Sequence, residues 1–317
     1  MLPEDELVIS FSWQLGEVGP VTTDVRVTQR TRITVRFRTE ASLKRVLEYT
    51  YQLRNFLGLA VGRPVLPLSV RGLILPPPEA EPDAVTGVAP QPIGVDIYYR
   101  LSSTPPLGRK LLPQQMLFTL DDARPRLETL LNNWLIKHEI LRPVFDLYFG
   151  ATYSPHSYLE QTFLSLMQAL ETYHRRTSSE TELPQGRHQE RLDAILDSVP
   201  AQYRDWLNEK LLYSNELTLR RRLKDVLGRC PLVVDNLVND KPSFVNGLLD
   251  TRNYRTHYDK SLEYKALQGT ALYPFVVRIR SLVEMCLLLE LGFSCEEIAA
   301  IFERVDRYAE IRNADQN

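Results

Sequence analysis

Between Leu249 and Asp259 the chain reads LDTRNYRTHYD, and three of its residues suit phosphodiester chemistry. Arg252 offers a planar guanidinium that can grip two phosphate oxygens at once. His257 carries an imidazole that exchanges a proton near neutral pH. Asn253 adds an amide that both donates and accepts hydrogen bonds. The bare spacing also arises between unrelated surface residues, so the surrounding elements decide its meaning. Along an unbroken helix, positions five apart point about 140° from each other. Arg252 and His257 therefore converge on one phosphate in one of two ways. Either the segment is the irregular lead-in to a helix, or two copies of the motif meet across a dimer. Asp250 and Thr251 are suitable helix-start residues there.

Other polar groups compete for a role. Glu171 follows an apolar helical stripe and is expected to turn inward and hold Arg252. His174, Arg175 and Arg176 end the same helix, where the dipole favours cations. Arg220, Arg221, Arg222 and Lys224 form a basic cluster that suits an RNA backbone, or equally a solvated helix face. His138, His156 and His188 show no mutual metal spacing and read as surface or core residues. Cys230, Cys286 and Cys295 lack the Cys-x-x-Cys spacing of a zinc site or redox motif. No Gly-rich phosphate loop, His-Glu-x-x-His, Gly-x-Ser-x-Gly or kinase signature is present. No metal and no cofactor are expected.

The elements that must position these residues change character along the chain. Leu7 to Trp13, Thr22 to Val27 and Thr31 to Arg38 alternate as strands. Ile33, Val35 and Phe37 share one face, and Arg32, Thr34, Arg36 and Arg38 the other. A helix is expected over 41–60, ended by Gly62, Arg63 and Pro64. Strands follow over 66–75 and 94–101, separated by a proline-rich loop over 76–92, with a short one over 115–120. From Asp121 the periodicity is helical. Helices are read over 126–138 and 141–149, 156–176, 190–212 with a break near Pro200, 216–227, 231–237 and 243–249. A long one spans 266–291, and a last one opens at Ser294, whose spacing to Glu297 fits a capping box. The stretch 178–186 reads as a polar linker and 304–317 as a polar tail. The fold class is α+β: a strand-rich mixed unit over 1–120 and an all-helical bundle over 121–317.

Composition sets outer limits. The 317 residues suffice for two domains, and 44% hydrophobic with 25% charged residues is ordinary for a globular protein. A net charge of −2 argues against a general basic coat, so contact with nucleic acid must come from a local patch. The start, MLPEDEL, is acidic and lacks a basic region followed by an apolar one, so no secretory signal is expected. Arg278, Arg280 and Glu284 interrupt the longest apolar stretch and argue against a membrane span. A reducing cytoplasm fits the cysteine usage.

Three stretches, SYLEQTFLSLMQALETYHRR (157–176), LVNDKPSFVNGLLDTRNYRTHYD (237–259) and LYPFVVRIRSLVEMCLLLELGFSCEEI (272–298), resemble a HEPN domain. The closer likeness is to the HEPN domain of ApeA-type anti-phage proteins. The Arg-Asn-x-x-x-His motif at 252–257 is that family's hallmark. TRITVRFRTEASLKRVLEYTYQLRNFLGLAVGRPV (31–65) is similar to part of the N-terminal domain joined to it. In that family the N-terminal domain is usually longer, so a short member or a fragment is expected. The resemblance implies a metal-independent endoribonuclease acting in defence by growth arrest, with tRNA or other cellular RNA as substrate. It implies a homodimer or higher homo-oligomer, with two motifs to one cleft; a phage protein as trigger is a separate expectation, and the sequence does not identify it. His257 would be acid or base, Arg252 would stabilise transition-state charge, and Asn253 would orient the motif. Tyr254 and Tyr258 would stack a base or serve packing. The alternative is a non-catalytic dimerisation or nucleotide- or RNA-binding module, with the N-terminal domain sensing a phage protein.

Overall fold

The computed structural model describes residues 5–15, 27–77, 80–82, 85–99, 111–154, 156–308 and 311. Strands β1 (Glu6–Leu15) and β2 (Val27–Arg36) pair antiparallel, with Leu7 opposite Val35 and Ile9 opposite Ile33. Because side chains alternate across a strand, Ile33 and Val35 share one face and Arg30, Arg32 and Arg36 the other, as the sequence pattern requires. Leu7, Ile33 and Val35 pack on the main core. The strand expected over 22–27 lies outside the described residues except for Val27, which starts β2.

Helix α1 (Leu43–Val61) begins where the Ser42 hydroxyl accepts from the Arg45 amide. It ends at Gly62, whose φ of 67° suits a residue without Cβ. Strands β3 (Val70–Ile74) and β4 (Ile93–Ile97) form a second antiparallel pair. The short strand expected over 115–120 is instead a 3-10 turn at Pro113–Gln115. Pro113 has no amide to donate to a strand, and Thr119 is committed to capping α2 (Leu120–Ala123).

Helix α3 (Leu127–Tyr153) runs unbroken through Pro143, where the sequence suggested two pieces. An internal proline costs about 3 kcal/mol. Burial of Leu141, Val144, Phe145 and Tyr148 on either side offsets it. Helix α4 (Leu159–Thr177) follows, then α5 (Gln185–Ser198), α6 (Ala201–Leu211), α7 (Leu219–Gly228) and α8 (Pro231–Leu237). Helices α5 and α6 form a hairpin that buries His188 and nothing else from its two helices. Its neck is closed by Asn215, which bonds the Glu182 amide through its carbonyl and both backbone groups of Leu183 through its side chain.

Helix α9 (Lys241–His257) corrects the sequence reading most sharply. The sequence pattern gives a short helix or turn over 243–249 and leaves the motif either an irregular lead-in to the next helix or one of two that meet across a dimer. The structure instead carries α9 through the motif to His257. Asp240 caps it by accepting from the Ser243 amide, and Pro242 sits in its first turn. Its buried stripe, Phe244, Val245, Leu248 and Thr251, stops six residues early, which made the polar end look non-helical. Gly247 lets the Phe275 ring approach so closely that a Cβ would meet it at 3.0 Å.

After α9 come 3-10 turns at Lys260–Lys265 and Gly269–Ala271, so α10 (Leu272–Leu291) starts later than 266. Helix α11 (Cys295–Arg304) opens with the expected capping box of Ser294 and Glu297. The presumed polar tail is not wholly polar, since Val305, Tyr308 and Ile311 are buried. Helices α3, α4 and α10 pack together at the centre of the bundle. Within it, Glu284 of α10 accepts from Tyr148 (2.6 Å) and Tyr308 (2.5 Å) and pairs with Arg307 at 2.9 Å. The chain is thus a small strand-containing region followed by a mostly helical part, in accord with the α+β reading.

Candidate functional site

The motif occupies the last turns of α9, where core contact has ended and solvent begins. Thr251 is fully buried, and its hydroxyl accepts from the Leu267 amide at 2.9 Å. This fixes the returning chain against the helix just below the motif. Arg252 is half-buried. Its Nη1 lies 3.4 Å from Asn253 Oδ1, and among the described residues it makes no ion pair. The Thr256 hydroxyl donates to the Arg252 carbonyl at 2.7 Å, so one helical turn is closed from within. His257 is exposed.

Because the segment is helical, His257 lies about 140° around the axis and about 7.5 Å along it from Arg252. Asn253 bridges the gap: it adjoins Arg252 and sits one turn before His257, about 40° away. The irregular lead-in that would have brought Arg252 and His257 together within one chain is therefore absent.

Arg255, which the sequence analysis did not single out, is the anchored arginine. Its Nη2 lies 3.4 Å from Glu160 Oε1 on α4, and its guanidinium lies over the Tyr254 ring at 5.4 Å. The expected partner, Glu171, does not hold Arg252. It takes Arg175 Nε at 3.3 Å, one turn along its own helix. Glu160 lies eleven residues earlier on α4, about 16 Å nearer its start. Periodicity places a carboxylate on a face but not at the turn that meets another helix.

Tyr254 and Tyr258 stack edge to face with ring centroids 5.7 Å apart. Tyr258 is 64% exposed and is the only non-glycine described residue with positive φ, at 50°. Two hydrogen bonds from Ser261 hold the Asp259 carboxyl below the usual range, and the charge of His257 adds to this. Partial loss of water raises the Tyr254 hydroxyl, and Glu263 adds to the effect.

The basic cluster on α7 does not form one surface. Arg222 is buried and donates to the Leu217 carbonyl at 3.0 Å and towards His174 Nδ1 at 3.3 Å. Arg221 pairs with Asp225, and Arg220 donates to Asn246 on α9 at 2.6 Å. Lys224 is exposed. His174 is not a surface cation. It is buried, and burial first and Arg222 second hold its pKa below the usual value. A donor at Nδ1 puts the ring proton on Nε2, which faces Asp225 at 3.3 Å. His138 and His188 are buried and His156 is exposed. Among the described residues no group of three His, Cys, Asp or Glu could hold a metal ion, and no helix is long and apolar enough to cross a membrane.

Two family models match the chain. Residues 164–297 match the Apea-like HEPN family and residues 2–134 match ApeA N-terminal domain 1. The first range contains all of α9 and its motif. No curated protein and no solved structure matches the chain.

Proposed function

As this chain belongs to the ApeA-like HEPN defence proteins, we propose that it is an endoribonuclease whose cutting of RNA arrests growth during phage attack. The observation that carries this is the state of Arg252. It is a half-buried guanidinium with no carboxylate partner among the described residues, next to Asn253 and one turn from an exposed imidazole. A structural arginine would be paired, as Arg255 is by Glu160. An arginine awaiting a phosphate would look like Arg252.

In the proposed reaction the ribose 2′-OH attacks the adjacent phosphorus, and the 5′ oxygen of the next nucleotide leaves. The products are a 2′,3′-cyclic phosphate and a 5′-OH end, and the 2′-OH requirement confines cleavage to RNA. One imidazole takes the 2′-OH proton and another gives a proton to the leaving oxygen. Arg252 stabilises the charge that builds on the phosphoryl oxygens. Asn253 orients Arg252. The helical motif separates Arg252 from His257, so two chains facing each other best supply both imidazoles and a guanidinium. We propose a homodimer built on this end of α9, working without a metal ion, with tRNA among its substrates.

Incubation with total tRNA in EDTA tests the reading. Wild type should give cyclic phosphate ends, and His257→Ala should give none while melting at the same temperature, because His257 is exposed. Equal cleavage by the variant would sink the proposal.

A partner-sensing role for the N-terminal region has its own support. Phe11 and Trp13 extend the apolar face of β1 past the core, and Leu73, Ile74 and Ile93 are exposed on β3 and β4. Exposed apolar side chains on both strand pairs suit a protein trigger. Trp13→Ser with Leu73→Ser should then abolish protection against phage while leaving the purified protein's cleavage intact. Unchanged protection would remove this role.

A further inference from the structure

Tyr258 is an expensive choice of residue. It ends α9 in the left-handed conformation, a place that glycine adopts freely and that strains a residue with a bulky side chain. It gains little burial in return, because its ring is 64% exposed and meets Tyr254 edge to face. Strain kept for so little packing points to use of the side chain. The next turn shows the same pattern. Tyr264 is 79% exposed, with Lys265 Nζ held over its ring at 5.4 Å. Lys260 is exposed and makes no ion pair among the described residues. Of the two acids in the segment, Asp259 is turned onto the Ser261 amide at 2.9 Å and Glu263 acts on Tyr254. The exposed apolar surface here is aromatic and interleaved with lysines. The exposed surface of β3 and β4 is mainly aliphatic, with Leu73, Ile74 and Ile93.

From these observations we infer that the segment 258–265 is a platform for unpaired RNA, with bases stacked on Tyr258 and Tyr264 and phosphates met by Lys260 and Lys265. The inference rests on the ribonuclease reading and specifies its substrate class. Every base has a face that can stack on a tyrosine ring, but a closed duplex hides those faces. Loops and single strands are therefore admitted next to His257, and paired stems are not. The platform begins one residue after His257, so a strand lying on it passes the catalytic end of α9.

The test uses the full chain in the His257→Ala background, so that RNA stays intact. Fluorescence anisotropy measures binding of a short unstructured oligoribonucleotide and of the same sequence as a blunt duplex. Tyr258→Gly with Tyr264→Ala should weaken single-strand binding about tenfold or more and leave the weak duplex binding unchanged. Tyr258→Phe should retain binding. Tyr258→Gly alone should melt no lower than its parent, since it relieves the positive φ. Equal binding of duplex and single strand overturns the inference, and so does single-strand binding indifferent to both tyrosines. A double variant that changes only the oligomeric state also overturns it, because the rings are then an interface between copies. Cleavage in the His257-intact protein separates the two claims. Equal cutting of RNA by wild type and by the double tyrosine variant refutes the platform and keeps the nuclease. Wild type that binds unpaired RNA through them and never cuts keeps the platform and refutes the nuclease.

Discussion

Two arginines three positions apart on one helix have different environments here. Arg255 is tied to Glu160 and covered by Tyr254, whereas among the described residues the Arg252 side chain hydrogen-bonds to its neighbour Asn253 and to no carboxylate. Arg252→Lys should therefore lower cleavage about a hundredfold or more with no change in melting temperature, since an ammonium cannot grip two phosphate oxygens. Glu160→Gln should instead lower the melting temperature slightly and affect turnover less, because it loosens a half-buried pair that only braces the helix. Initial rates and thermal melts on the two variants separate these outcomes. Residue types and spacing single out Arg252, Asn253 and His257 in the sequence as candidates. The role of Glu160 was not legible, because a carboxylate eleven residues away on the same helix was an equally good candidate until the contact of α4 with α9 was known. Nor was the inward turn of Arg222, since four basic residues within five positions must lie on several faces of a helix and sequence does not say which face is covered.

Helix ends with local capping residues were read well. Gly62 closes α1, and Ser294 with Glu297 opens α11, as the local chemistry dictates. Helices whose extent depends on packing were misjudged. Burial on both sides carries α3 across Pro143, and α9 continues for two turns past its last core residues. The capping residue Asp122 also links elements far apart in sequence. It accepts from the Thr119 amide at 2.7 Å and holds Arg304 at the end of α11. The Arg304 guanidinium is the main reason its carboxyl titrates at about 2 in the folded chain instead of near 3.8. A carboxyl lowered on folding stabilises the protein fully above its unfolded value, and that contribution fades as pH falls through the folded one. Urea unfolding of wild type should thus show a loss of stability between about pH 4 and pH 2 that Asp122→Asn lacks, with the variant less stable at pH 7.

Across the whole molecule, one buried carboxylate joins three distant parts of the chain. Glu284 in α10 binds Tyr148 in α3 and Tyr308 and Arg307 beyond α11, and Arg307 in turn lies against Gly62 at the end of α1. Glu284→Ala leaves a cation and two hydroxyls without their partner and should cost about 3–5 kcal/mol in urea unfolding. Tyr308→Phe removes a hydroxyl that donates to Glu284 and accepts from Arg307 at 3.0 Å, and should cost about 1–3 kcal/mol. The opposite case is the α5–α6 hairpin, which gives the bundle almost nothing and whose two ends are already joined through Asn215. It can be excised. A chain in which 184–214 is replaced by a short glycine–serine turn has nearly no new loop to close, so it should melt where the parent melts. For the bench this is a detachable handle: a dye, an affinity tag or a crystallisation partner can be grafted there without disturbing the rest of the molecule.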